Sequence, residues 1–274
     1  MKVVVTGSST GIGRALSLEL LKNGHSVWGV ARSTQSDLAK AYPNHFKSSC
    51  CDVTHWEAIN AVSQTIAQTW GIIDGLVTAA GIQGEIARAL SADPIAWSNT
   101  VRSNIDGTYF PLRAFSTLLK PAQGRAKVVC FSGGGATKSR PYFSAYGSAK
   151  TAIVRLVETI AEEEKNRAFD ITCIAPGAIN TRLTDEVITK GPAQAGESEY
   201  AAALKQKENG GQSLDKAIAL ITWLLSSQSD GLSGKLVSAQ WDPWLTLNNH
   251  IQSLVSTDIY TLRRILPDDR KTNF

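Results

Sequence analysis

"VVVTGSSTGIGRAL", residues 3–16, decides the fold. Its three valines read as a buried strand, its glycine-rich centre as a turn, and the residues from Ile12 onward as the start of a helix. Gly7, Gly11 and Gly13 permit a tight turn and let a ligand approach the backbone. The helix behind them offers unpaired N–H groups and the positive end of its dipole, so the segment is suited to holding a phosphate. The spacing is G-x-x-x-G-x-G, not the commoner dinucleotide pattern G-x-G-x-x-G.

The alternation continues downstream. "SVWGVA" (26–31), "GLVTAA" (75–80), "KVVCFS" (127–132), "DITCIA" (170–175) and "GKLVSA" (234–239) are near-continuous apolar runs, as expected of strands covered on both faces. "HFKSSC" (45–50) is a weaker one. Helical patterns fall near residues 12–23, 55–70, 95–120, 144–165 and 213–226. In the last, Leu214, Ala217, Ile218, Ile221 and Leu225 mark one face. Strand–helix repetition predicts an α/β domain with a parallel sheet of about seven strands and right-handed crossovers. Residues 182–212 are polar, broken by Gly and Pro, and lack a strand. They read either as a mobile substrate lid or as a surface excursion of short helices.

The chain of 274 residues is 43% apolar and 19% charged, enough to bury a full core. Its net charge of +4 comes from scattered lysines and arginines, which argues against a nucleic-acid partner. No run approaches the roughly 18 apolar residues of a membrane span. "MKVVVTG" passes straight from strand to turn, unlike a signal peptide, so the expected location is the cytoplasm. Cys50 and Cys51 are adjacent, Cys130 and Cys173 sit in strand-like runs, and the four histidines share no ligand spacing; no metal is expected.

The second strand should end beside the adenosine ribose of a dinucleotide. An acid there would accept from a 2′-hydroxyl; here stand Ala31 and Arg32, and an arginine can hold a 2′-phosphate. NADP(H) is therefore the expected cofactor, with NAD(H) as the alternative.

These motifs together resemble the short-chain dehydrogenase/reductase family in its single-domain form. "TGSSTGIG" is similar to that family's cofactor turn, which adds Ser9 and Ile12 to the three glycines. "CDVT" resembles its adenine-contact motif and implies that Asp52 and Val53 flank the adenine. "TAAG" (78–81) stands where the family usually has N-N-A-G; both asparagines are absent, but Ala80 and Gly81 can still lie along the cofactor. "VRSNIDGTYF" implies a catalytic Asn104, and "YGSAK" implies Tyr146 and Lys150. "APGAINTRL" looks like the P-G motif; it implies that Pro176, Gly177 and Ile179 line the nicotinamide and that Thr181 holds its carboxamide. The resemblance implies a Rossmann-type doubly wound sheet and hydride transfer between nicotinamide and a carbonyl or secondary alcohol. It also implies a homodimer or homotetramer formed through the helices near 108–120 and 146–165.

Tyr146 and Lys150 are four apart on a predicted helix and share a face. A free tyrosine, with a pKa near 10, is a poor base, and a lysine ammonium alongside favours its phenolate. By the resemblance, Lys150 also binds the nicotinamide ribose and Asn104 holds a water that connects Lys150 to solvent. The family's serine lies thirteen positions before the tyrosine, which here is Gly133. Three readings are open. A bulge at Gly133–Gly135 turns Ser132 inward, the favoured reading; Ser144 reaches in; or backbone N–H groups or the substrate itself polarise the carbonyl. Ser139, in an expected loop, is the weakest candidate.

The expected domain covers residues 1–244, including the 182–212 loop, and residues 245–274 form an extension docked on this domain or on a neighbouring subunit. Trp241 and Trp244 read first as packing. Tyr260, Leu262 and Ile265 look like anchors, and Arg263 and Arg264 like partners for an anion. "SGGGA" and this tail loosely resemble family members tied to bacterial polysaccharide synthesis. A keto-sugar enzyme and a cofactor-binding sensor or scaffold therefore stand beside the reductase as alternatives.

Overall fold

Strands β1 (Lys2–Thr6), β2 (Ser26–Ala31), β3 (Phe46–Cys50), β4 (Gly75–Thr78), β5 (Ala126–Phe131), β6 (Phe169–Ala175) and β7 (Leu236–Ser238) form one parallel sheet in the computed structural model. The structure describes residues 1–121 and 124–272. The strands lie in the order β3-β2-β1-β4-β5-β6-β7. The chain runs outward from β1 to β3, then returns to the other side of β1 as β4. That reversal opens a crevice at the carboxyl ends of β1 and β4, where ligands bind in sheets of this kind.

Helices α1 (Gly11–Lys22), α2 (Ser36–Ala41), α3 (Trp56–Trp70), α4 (Pro94–Phe115), α5 (Ser144–Glu163), α6 (Arg182–Ala195), α7 (Glu197–Glu208), α8 (Leu214–Leu225) and α9 (Ile251–Val255) complete the elements used here. Alternate residues of β1 enter opposite cores. Val3 and Val5 pack with Leu16 and Leu20 of α1 and Ile221 of α8. Val4 packs with Ile59 of α3, Phe115 of α4 and Ile153 of α5. Among the described residues no helix is long and apolar enough to cross a membrane.

Local signals explain the helix ends. Asp93 caps α4 by accepting from the Ala96 N–H, and Pro94 takes the first position, where its missing donor costs nothing. Ser213 caps α8 in the same way. α4 stops at Phe115, short of the expected residue 120, because Leu118 turns inward and its carbonyl accepts the N–H of Ile73 at 2.9 Å.

The 182–212 segment is a helix pair, α6 and α7, with its own small core. Val187, Ala195 and Ala203 close over Ile86 and Phe143. Gly191 (φ 72°) followed by Pro192 breaks α6, and Gly196 (φ 82°) is its joint with α7.

The extension lies on its own chain. Trp244, Leu247 and Leu254 join the core beside α8. Farther on, the Tyr260 carbonyl accepts the Leu236 N–H at 2.8 Å, Lys235 Nζ donates to the Thr257 carbonyl, and Glu158 accepts the Leu262 N–H. The tail thus covers the outer edge of β7. Ile265 is 56% exposed on this chain, and the anions that Arg263 faces are the carboxylates of Asp258 and Asp269. Trp241 is 78% exposed while Trp244 is buried. Residues 273 and 274 of the extension lie outside the described residues. Ending the chain after Trp244 removes buried Leu247 and Leu254, about 1.5–3 kcal/mol each. The expected result is a Tm lower by roughly 10 °C or more, with self-association, read by calorimetry and sizing. An unchanged Tm and mass would show that the tail is only an appendage.

Candidate active site

A cleft of about 680 Å³ occupies the crevice. Gly7, Ser9, Gly11, Ile12 and Gly13 form one wall, with Arg32, Asp52 and Val53 at one end. Ala80, Gly81, Asn104, Ser132, Tyr146 and Lys150 line its centre, and Pro176 and Thr181 its far side. Two residues expected there sit elsewhere. Ile179 is buried in the core with α1 and α8. Gly177 is exposed, packed against Gln212 and Gln240, which fasten the loop after β6. Asn180 and Arg182 line the cleft without having been singled out; polar side chains in a loop carry no periodic signal.

The turn after β1 fits a dinucleotide phosphate. Gly7 has φ 68°, and a Cβ there would lie 2.8 Å from Ala80. A Cβ on Gly13 would lie 2.5 Å from the Gly7 carbonyl. Thr10 caps α1 without a side-chain bond, and the first turn carries no acid, so its N–H groups remain available to an anion. Arg32 is exposed at the cleft end, its carbonyl accepting from the Cys50 thiol. Beside it, burial of Asp52 is outweighed by the N–H and hydroxyl of Thr54, with Arg32 and His55 adding to them. The Asp52 carboxyl is held below its usual range.

The missing asparagines of the "TAAG" strand have local substitutes. The Ala80 N–H donates to Thr6 Oγ1 at 3.3 Å, and Asn104 Nδ2 donates to the Ile82 carbonyl at 3.0 Å. Asn104 Oδ1 is buried without a partner, 3.0 Å from where a Gly81 Cβ would stand; Lys150 Nζ is 3.6 Å from the same point. An orphaned acceptor beside an ammonium suits a bridging water or a ligand hydroxyl.

Lys150 Nζ donates to the Phe131 carbonyl at 3.1 Å and lies 5.5 Å from the centre of the Tyr146 ring. Burial pushes Lys150 down to about 8, against an upward pull from Cys173 and Cys130. Burial pushes Tyr146 up to about 12, with Arg140 pulling the other way. Four-residue spacing predicts that the ammonium favours the phenolate; burial outweighs the neighbouring charge, and Tyr146 is a neutral acid at neutral pH.

Gly133 is the residue facing the Tyr146 hydroxyl. A Cβ there would lie 2.4 Å from that oxygen. The β5–β6 ladder runs unbroken to Phe131 opposite Ile174, and the Ser132 N–H continues it to the Ile174 carbonyl at 2.8 Å. Ser132 itself lines the cleft, its hydroxyl oxygen buried and unpartnered like that of the Asn104 amide. Ser144 accepts from the Trp97 indole at 3.0 Å and is engaged there. Ser139 is exposed.

The sequence profile of the family described as short chain dehydrogenase matches residues 1–191. The short chain dehydrogenase pigC of Monascus ruber is 27% identical over 251 residues, covering 88% of this chain and 78% of its own. The NADPH-dependent pterin aldehyde reductase of Arabidopsis thaliana is 31% identical over 187 residues, covering 66% of this chain and 76% of its own. Among solved structures, a short chain dehydrogenase/reductase from Saccharomyces cerevisiae superposes with a TM-score of 0.81 at 25% identity, covering 89% of this chain and 97% of its own.

Proposed function

The chain belongs to the short-chain dehydrogenase/reductase family, and on that premise we propose that it transfers a hydride between NADP(H) and a carbonyl or secondary alcohol, with Tyr146 as acid and base. One observation carries the reading: Tyr146, Lys150 and Asn104, from two different helices, meet at the centre of a cleft whose wall is the glycine turn. When bound, the nicotinamide supplies the hydride or accepts it. In reduction, the Tyr146 hydroxyl donates its proton to the substrate oxygen and is left as phenolate. Lys150 stabilises that phenolate and holds the ribose. The unpartnered Asn104 oxygen positions the route by which a proton returns to Lys150 and Tyr146. A screen of NADPH oxidation against ketones, including keto-sugars and keto-acyl thioesters, tests the reading; no turnover with any of them counts against it.

Arg32 supports NADP(H) over NAD(H), as does the NADPH dependence of the pterin aldehyde relative. A guanidinium beside a 2′-phosphate forms charge-assisted bonds that a hydroxyl cannot match. Wild type is expected to bind NADPH at least about tenfold more tightly than NADH, and Arg32→Ala to lose most of that preference. Fluorescence titration of both cofactors with both proteins decides; equal affinities in wild type remove the basis for it.

A second reading has its own observation. Gly133 at the serine's position supports a cofactor-binding sensor or scaffold with reduced catalysis. Tight NADPH binding without turnover in the screen is the result that selects it.

A further inference from the structure

The loop between β5 and α5 connects to more than the cleft. Arg140 lies across its glycines: a Cβ on Gly134 would stand 3.4 Å from Arg140 Nη1, and one on Gly135 3.4 Å from Arg140 Cβ. The guanidinium sits 3.7 Å above the Phe143 ring and donates to Glu199 of α7 from Nε at 3.1 Å and Nη2 at 2.7 Å. Both partners are mostly buried, at 23% and 28% side-chain exposure, so solvent screens this pair less than a surface pair. Tyr142 makes a second contact. It is held at φ 70°, and its ring lies where a Cβ on Gly196, the α6–α7 joint, would be 2.5 Å away. Phe143, fully buried between these contacts, precedes α5 and accepts the Gly147 N–H at 2.8 Å, so Tyr146 stands one turn beyond it.

We propose that Arg140 is a positioning residue: its pairing with Glu199 latches the α6–α7 pair onto the loop that carries Gly133 and launches α5, so that lid and Tyr146 move together. The role rests on the reductase reading above. It differs from general lid closure in naming the joint through which the lid reaches the acid. A non-glycine residue held at positive φ costs energy and persists where its surroundings enforce it. Here the enforcing surface is Gly196, which must lack a side chain for Tyr142 to sit there.

The latch also places charge. Arg140 faces Tyr146 from the loop, with Glu199 behind it on α7; Lys150 faces it from α5 itself; α4 contributes the neutral Asn104; and the Cys130 and Cys173 thiols of β5 and β6 lie by Lys150. Removing Arg140 takes away the cation opposing burial of the phenol. Removing the Glu199 charge leaves that cation unneutralised. The two changes loosen the same latch but act on Tyr146 with opposite sign.

The test uses the full chain with Arg140→Ala and the isosteric Glu199→Gln. Hydrogen exchange across residues 182–208 is expected to quicken in both, without substrate. KM for the carbonyl is expected to rise about tenfold in both, with a smaller change in kcat. The half-maximum pH of alcohol oxidation should move up in Arg140→Ala and down in Glu199→Gln. Unchanged exchange in the lid, or both pH profiles moving the same way, overturns the proposal, as does a lowered Tm as the sole effect. Exchange is read without turnover, so a failed latch and a failed enzymatic reading are told apart.

Discussion

Tyr146→Phe is expected to lower kcat by about a thousandfold or more while leaving NADPH affinity within about twofold, the size of effect expected when a general acid is removed. The ring stays in place and keeps its packing; the lost atom is the hydroxyl that hands over the proton. With burial holding that hydroxyl up to about 12, it is fully protonated at neutral pH and ready for reduction. Lys150→Ala is expected to damage binding as well as turnover, since the same ammonium serves both. Because burial lowers Lys150 to about 8, its charge is lost as pH rises through that value. NADPH affinity should therefore weaken above about pH 8 in wild type and stay flat in Lys150→Ala. Retained activity in Tyr146→Phe would end the enzymatic assignment.

Gly133→Ala is expected to cost about a hundredfold in kcat/KM, although it adds one methyl group. That carbon would stand 2.4 Å from the Tyr146 hydroxyl and 3.0 Å from two ring carbons. Either the tyrosine swings aside or the end of β5 moves, and a displacement near 1 Å at a reacting group can cost that much. Ser132→Ala, one residue away, removes a buried cleft hydroxyl and sets no atom against Tyr146; if the serine role has been lost, the rate should change less than about threefold. A loss near a hundredfold in Ser132→Ala, the size expected of a missing oxyanion donor, would return the serine role to Ser132. Steady-state kinetics on the two variants, with NADPH titration as control, separates the cases.

The sheet was readable because its strands are covered on both faces and so appear as unbroken apolar runs. The five strongest helices were readable because each buries a stripe; α1, α3, α5 and α8 lie within two residues of their expected ends. α6 and α7 gave a weaker signal. They bury only Thr184, Val187, Ala195 and Ala203, too sparse a set to mark a face. The placement of Tyr146, Lys150 and Asn104 in one cleft followed from motif order. The relation of Gly133 to Tyr146 did not, because it depends on where a strand ends relative to a helix that starts thirteen residues later at Ser144. The position thirteen before the tyrosine is Gly133, which has no hydroxyl to offer; Ser132 beside it does. The sign of the tyrosine's shift was also out of reach. Spacing shows that two side chains share a face, but not that Lys150 turns to the Phe131 carbonyl and leaves burial in control.

The strip over β7 has a consequence in time. Tyr260, whose carbonyl takes the Leu236 N–H, follows that strand residue by 24 positions. The cover therefore depends on pairing between separated parts of the chain, which closes later than contacts within a helix. Until it closes, β7 can pair with β6 while its other side offers unpaired backbone groups to any neighbouring chain. Refolding from denaturant should therefore lose more protein to aggregation as its concentration rises, and a chain cut after Trp244 should lose more still.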